Sequence, residues 1–323
     1  MVSQTSLLVQ LLMLVDDVPL VPPAARRGRP CVYPERLFVK AVVLMVVRHL
    51  PTVHALLAVL EQPEMAAVRA AVSEQGHLPT RRTFERRLKA LPLRLPAHIA
   101  AVGQHLLTQL DPWARDGRAV AIDSTPLHAR GGVWHQKHRA VGKVPHTSID
   151  TEAHWTKSGW HGWVYGYKLH LIVTVGDVWV PLAATLTPAN AADNEQAAPL
   201  LDALTAERMF VLGDTAYNDP KIRRHCAQHQ RTLVATKRGA YPHTDAGVAV
   251  RRVFHELRSR AIENFNGQFK GIFDGTRPVP TKGVLATRRY VLGAVLVYQL
   301  ALLYQHQQGR DLRRGLKPLL QAA

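Results

Sequence analysis

Hydrophobic and polar positions change their period twice along the chain. From Pro34 to about Leu110 the spacing is helical. Pro34 suits a first helical position and helix formers follow to Leu50, after which Pro51-Thr52 restarts a helix with Leu56, Leu57 and Leu60 on one side. Gly76-His77-Leu78-Pro79-Thr80 breaks the pattern and caps a new helix, where Phe84, Leu88 and Leu91 fall at i, i+4 and i+7. From Arg118 the texture is that of strands. Arg118 to Thr125 is the first; in Trp163 to Val175, Tyr167, Leu169, Leu171 and Val173 alternate onto one face. Gly176-Asp177 predicts a two-residue turn, so Val178 to Thr187 returns antiparallel. Asp193 predicts a helix cap, with the helix running to about Glu207. Met209-Phe210-Val211-Leu212 is an unbroken apolar run that stops at Gly213-Asp214, which reads as a strand buried on both faces. Asn218-Asp219-Pro220 opens another helix, and Arg231 to Thr236 is a fifth strand. After Val250 helical spacing returns, with Phe254, Leu257, Ala261, Phe265 and Phe269 as one stripe.

These elements predict three regions: a helical one over 1–112, an α/β one over 113–290 and a helical segment over 291–323. The α/β region is a mixed five-stranded sheet with helices on both sides. Residues 1–30 read as a short apolar helix and a connector rich in Pro and Arg, Arg26-Arg27-Gly28-Arg29-Pro30. Residues 126–162 read as loop.

Composition narrows the partners. At 323 residues and 47% hydrophobic, the chain can bury a real core. Its formal charge of +17 points to a polyanion, nucleic acid first and an anionic membrane surface second. The apolar run Tyr290 to Tyr304 holds Gln299 and is shorter than the roughly 20 residues that span a bilayer, so it reads as a core helix. Cys31 and Cys226 cannot make a thiolate zinc site and suit a reducing cytoplasm. The basic charge concentrates on the helix holding Arg81, Arg82, Arg86, Arg87 and Lys89. A basic helix after a Gly-containing turn suits a helix-turn-helix reader of DNA; a solvated charged face has the same composition. Seven histidines lie between His128 and His170, and His135-x-x-His138 has a weak metal spacing. Trp155, Trp160 and Trp163 suit core packing or stacking on an unpaired base.

Two carboxylates stand out. Ala119-Val120-Ala121-Ile122-Asp123 has the same shape as the run ending at Asp214. If the two strands are parallel neighbours, Asp123 and Asp214 end side by side, and such a pair repels unless a divalent metal lies between. Asp at a strand end also caps turns, so neither residue decides alone. Glu263, with Arg260 at i−3 and Lys270 at i+7 on its helix face, is an ion-pair partner or a third ligand.

The ordered set Ala-Ile-Asp-Ser-Thr, Gly-Tyr-Lys-Leu-His, Thr-Pro-Ala-Asn-Ala-Ala-Asp, Gly-Asp-Thr-Ala-Tyr and Arg-Ala-Ile-Glu-Asn-Phe-Asn-Gly-Gln-Phe-Lys resembles the DDE transposases, more narrowly those of bacterial insertion sequences. The resemblance implies a ribonuclease H-like core behind an N-terminal all-α DNA-binding domain. It implies a catalytic, metal-holding triad of Asp123, Asp214 and Glu263, with two Mg²⁺ ions (or Mn²⁺), and with Arg260 and Lys270 steadying phosphate. The partners implied are double-stranded DNA, both terminal inverted repeats and target, and a second copy of the chain on that DNA, with no membrane. The location implied is the cytoplasm, at the nucleoid. The family's Glu helix often carries Tyr seven residues before the Glu, Arg four before it and Lys seven after it. Lys270 matches, Ser259 holds the Arg place between Arg258 and Arg260, and Glu256 holds the Tyr place. A metal-dependent nuclease of the same core and a non-catalytic DNA-binding regulator are the alternatives.

Overall fold

Helix α1 (Gln4–Asp17) and helices α2 (Glu35–Val47), α3 (Val53–Leu60), α4 (Ala66–Ala71), α5 (Arg81–Ala90) and α6 (Leu95–Gln109) build the N-terminal part. The computed structural model describes residues 4–23, 32–110, 118–159, 162–204, 210–235 and 244–321. The Arg-rich connector, the boundary at Asp111-Pro112, Cys31, Trp160, His161 and Met209 lie outside the described residues. Local chemistry sets the helix starts. The Thr52 hydroxyl accepts from the Ala55 N–H and the Thr80 hydroxyl from the Thr83 N–H, each satisfying an orphan donor. Phe84 of α5 packs edge-on against Phe38 of α2, ring centroids 5.7 Å apart, which fixes the basic helix to the buried one.

The sheet holds β1 (Ala119–His128), β2 (His154–Ser158), β3 (Gly162–Thr174), β4 (Pro181–Pro188), β5 (Phe210–Leu212) and β6 (Thr232–Val234). Helix α7 (Gln136–Ala140) lies between β1 and β2. Helices α8 (Ala197–Asp202) and α9 (Pro220–Gln228) flank β5 in sequence. The order is β2-β3-β1-β5-β6, with β4 also on β3. The long β3 shares one edge between two partners: Gly162 to Gly166 pair with β2, and Tyr167 to Val173 with β4. β1 is antiparallel to β3 and parallel to β5, and β5 is parallel to β6. Without β2 this is the mixed five-stranded arrangement expected. β2 and α7 fall in the stretch read as loop, because five residues that are nearly all part-exposed leave no alternation to read.

Two boundaries move. Val173 pairs with Pro181, so the β3–β4 connection is longer than a two-residue turn. The Thr174 hydroxyl closes it, donating to the Val178 carbonyl at 2.9 Å and accepting from the Val180 N–H at 2.9 Å. Of the helix expected from Asp193 to Glu207, the described residues form a short 3₁₀ turn, Asn194–Gln196, leading into the six-residue α8; Glu207 lies outside them.

The chain then forms α10 (Asp245–Arg258), a π-helical turn (Ser259–Glu263), α11 (Asn264–Ile272), α12 (Val284–Gln307) and α13 (Lys317–Gln321). α12 is buried along most of its length and packs on α2, α6 and β4, so position 290 falls inside a continuous helix that joins the helical part to the sheet. Its polar interruption, Gln299, is fully buried; Nε2 donates to the Ile99 carbonyl at 2.9 Å and the Pro181 carbonyl at 2.8 Å. No helix among the described residues is long and apolar enough to cross a membrane.

Candidate active site

The parallel pairing of β1 with β5 ends at Ala121 and Leu212. Asp123 and Asp214 each stand two residues beyond that last pair, so the register brings them level. Asp123 is not at a strand end: β1 continues against β3 to His128. It is the parallel neighbour that stops, which opens the space in front of the carboxylate. The Ser124 N–H donates to Asp123 Oδ1 at 2.8 Å. Asp214 accepts from the Ala216 N–H at 2.8 Å and so caps the turn Thr215–Tyr217 while also facing the cleft. Gly213 is required by this turn, since a Cβ there would lie 2.9 Å from the Tyr217 side chain.

Both residues line an open cleft of about 590 Å³ with Glu263, Asp193, Lys157, Lys168, Arg258 and Asn266 among its walls. Four carboxylates face three cations there, so negative charge is left over. Asp123 registers this: burial, and then the charges of Asp214 and Asp193, push its pKa from 3.8 up to about 7 against the pull of the Ser124 N–H and of Arg258. Tyr217, buried beneath the same carboxylates with no partner for its hydroxyl, is held well above the usual phenol range by burial first and those charges second. An all-oxygen donor set short of positive charge is what Mg²⁺ or Mn²⁺ takes. The three triad carboxylates do not close to within 4.8 Å of one another, so no single ion touches all three in this arrangement.

Arg258 ties the third acid in. Its Nη1 lies 3.8 Å from Asp123 Oδ2 and its Nη2 3.3 Å from Glu263 Oε1, where the Ser259 hydroxyl also donates at 3.1 Å. Arg260, expected on the Glu263 face, instead points to solvent and lies 3.9 Å from Glu256. The π-helical turn is the reason: Ser259–Glu263 holds one residue more than an α-turn, so the fifth residue before Glu263, Arg258, meets it along with the fourth, Ser259, while the third, Arg260, does not. Burial lowers the pKa of Lys270, half-buried on α11, and the charge of Asp123 within electrostatic reach offsets part of that.

Asp193 and Lys168 were not assigned from the sequence, although both lie in the quoted motifs. Lys168 Nζ donates to Asp193 Oδ1 at 3.0 Å, and buried His170 turns Nδ1 toward the same oxygen at 3.6 Å. On α5, Arg82, Arg86 and Lys89 are exposed, Arg81 is paired with Glu85 at 2.8 Å, and Arg87 lies over the Phe38 ring at 4.9 Å. The His135-x-x-His138 pair joins no third ligand among the described residues.

The model of the transposase DDE domain matches residues 114–294, more than half of the sequence and the whole stretch that carries these carboxylates. The chain belongs to the DDE transposase family. Solved structures with some similarity are a piggyBac transposase synaptic complex with hairpin DNA and two Mos1 assemblies. The piggyBac structure is 8% identical, covering 99% of this chain and 79% of that one, with TM-score 0.41. The pre-cleavage Mos1 transpososome is 11% identical over 86% and 80%, and the Mos1 paired-end complex 14% over 83% and 78%, each with TM-score 0.22. No curated protein matches the sequence significantly.

Proposed function

We propose that this DDE transposase is the enzyme of an insertion sequence, cutting DNA at the element's ends and joining the freed 3′-ends to target DNA. The observation that carries the reading is the level placement of Asp123 and Asp214 past the last β1–β5 pair, with Arg258 linking Asp123 to Glu263. Asp123, Asp214 and Glu263 would hold two Mg²⁺ ions, which would lower the pKa of an attacking water or 3′-hydroxyl and neutralise the leaving oxygen. The chain's own groups do the rest. Asp123, half-buried among carboxylates, gives up its proton when positive charge enters the cleft. Arg258 fixes the reach of Glu263. Lys168, held by Asp193, and half-buried Lys270 offer fixed positive charge for a phosphate. No Ser or Tyr nucleophile is required. Exposed Arg82, Arg86 and Lys89 on α5 contact the end DNA, and two copies act together to pair the two ends.

The test is an assay on labelled end DNA with Mg²⁺ or Mn²⁺ beside gel-shift measurements. Asp123→Asn, Asp214→Asn and Glu263→Gln each abolish cutting and joining while end binding stays near wild type. If Glu263→Gln cuts at near the wild-type rate, Glu263 is only the ion-pair partner of Arg258. Cutting without joining by the wild type would make the protein a nuclease.

A further inference from the structure

Away from the acidic cleft, α8 and the C-terminal end of α9 bring three other metal-ligating side chains together. Asp202 closes α8; His225 lies on the last turn of α9, and His229, four residues on, is the residue that caps its C-terminal end, which leaves the two rings side by side. One ligand atom from each lies within 4.8 Å of the other two. The imidazole rings are 4.6 Å apart and tilted by 41°.

Two details separate this cluster from an ordinary surface ion pair. His225 Nε2 sits 3.0 Å from Asp202 Oδ1, yet that buried nitrogen has no hydrogen-bond partner, because the geometry aims its axis elsewhere than at the oxygen. Donors that share a tetrahedral ion at about 2.1 Å stand about 3.4 Å from one another without bonding to one another. The 3.0 Å between His225 and Asp202 lies close to that spacing, and the other ligand atoms lie within 4.8 Å. Second, His229 Nδ1 lies 2.9 Å from the His225 carbonyl. A carbonyl only accepts, so Nδ1 carries the proton and Nε2 presents a lone pair, the usual support for a metal-bound imidazole. The frame is already rigid. Arg231, two residues beyond His229, is buried and donates to the Leu201 and Leu204 carbonyls at 2.6 and 3.0 Å, tying the end of α8 to the end of α9.

We propose that Asp202, His225 and His229 form a metal site for a zinc-class divalent transition ion. Two imidazole nitrogens and one carboxylate suit Zn²⁺, Co²⁺ or Ni²⁺, whereas Mg²⁺ takes an oxygen shell. The exposed side of Asp202 leaves the fourth position to water. The ion clamps α8 to α9, the helix that follows the Asp214 turn and packs on β6. It has no part in cutting DNA.

The full-length protein, stripped with EDTA and dialysed, is titrated with Zn²⁺ by calorimetry in excess Mg²⁺, and with Co²⁺ by visible absorption. The expected result is one Zn²⁺ per chain, a tetrahedral-type Co²⁺ band, and a raised melting temperature with Zn²⁺. The double variant His225→Ala/His229→Ala, with metal-free circular dichroism matching wild type, binds at least tenfold more weakly and loses the band. Asp214→Asn keeps both, which separates this site from the acidic cleft. Zn²⁺ binding that survives in the double variant, disappears with Asp214→Asn or is displaced by Mg²⁺ overturns the assignment, as does no binding at all.

Discussion

Replacing Asp123 by Asn should stabilise the metal-free protein while destroying the proposed activity. The Asp123 side chain is only 21% exposed, and its pKa rises from 3.8 unfolded to about 7 folded, chiefly through burial. Between those values the folded chain holds a proton that the unfolded chain releases. The contribution of Asp123 to stability is therefore fully present below pH 3.8 and is lost as the pH rises through about 7. The lost amount is about 4 kcal/mol above pH 7. Asn has the shape of the protonated acid and keeps that amount at every pH. For a chain of 323 residues this is on the order of 5 °C in melting temperature. The assay is calorimetric or circular-dichroism melting in EDTA at several pH values from 4 to 8. Asp123→Asn should melt above wild type at pH 8, and the gap should close toward pH 4. Added Mg²⁺ should narrow the gap at pH 8 by stabilising only the wild type. A variant no more stable at pH 8, or a gap that does not change with pH, refutes the reasoning.

Two further outcomes follow from the packing. Arg82→Glu with Arg86→Glu should weaken end binding and flatten its salt dependence with the fold unchanged, read by gel shift over a salt series; Arg87→Glu would also remove a cation from the Phe38 ring and so mix stability into the answer. Gly103→Ala should cost about 2 kcal/mol, because its Cβ would meet the Pro181 carbonyl oxygen at 2.5 Å and Leu182 Cα at 3.1 Å, backbone that cannot give way; Gly271→Ala, with nothing within 4 Å, is the control, and melting curves compare them.

The strands were legible where burial wrote a pattern. β1, β3 and β4 carry runs or alternations that a covered sheet requires, and the Gly213-Asp214 stop marked the carboxylate; β5 buries Val211 and Leu212 but leaves Phe210 exposed, so the strand is not covered on both faces along its length. β2 and α7 were not legible because neither buries a face. Asp193 looked like a helix cap because its sequence context is that of a cap. Its partners, Lys168 and His170, come from β3, and pairing across the sheet is not written in local spacing. Arg260 was favoured over Arg258 because counting in helical steps assumes an unbroken α-helix, and the turn at Ser259–Glu263 violates that assumption.

That turn also sets where the side chains after it point. In an α-helix each residue advances the direction of its side chain by about 100°, so one added residue would swing everything after it out of phase. A wide turn confines the added residue to a bulge: the stripe of Phe265 and Phe269 stays buried downstream, and Glu263 still faces Arg258. What the wide turn preserves is azimuth around the helix axis, whatever the residue count within it. The direction of Glu263 toward the cleft is thus set by the turn itself and not by the number of residues that lead up to it.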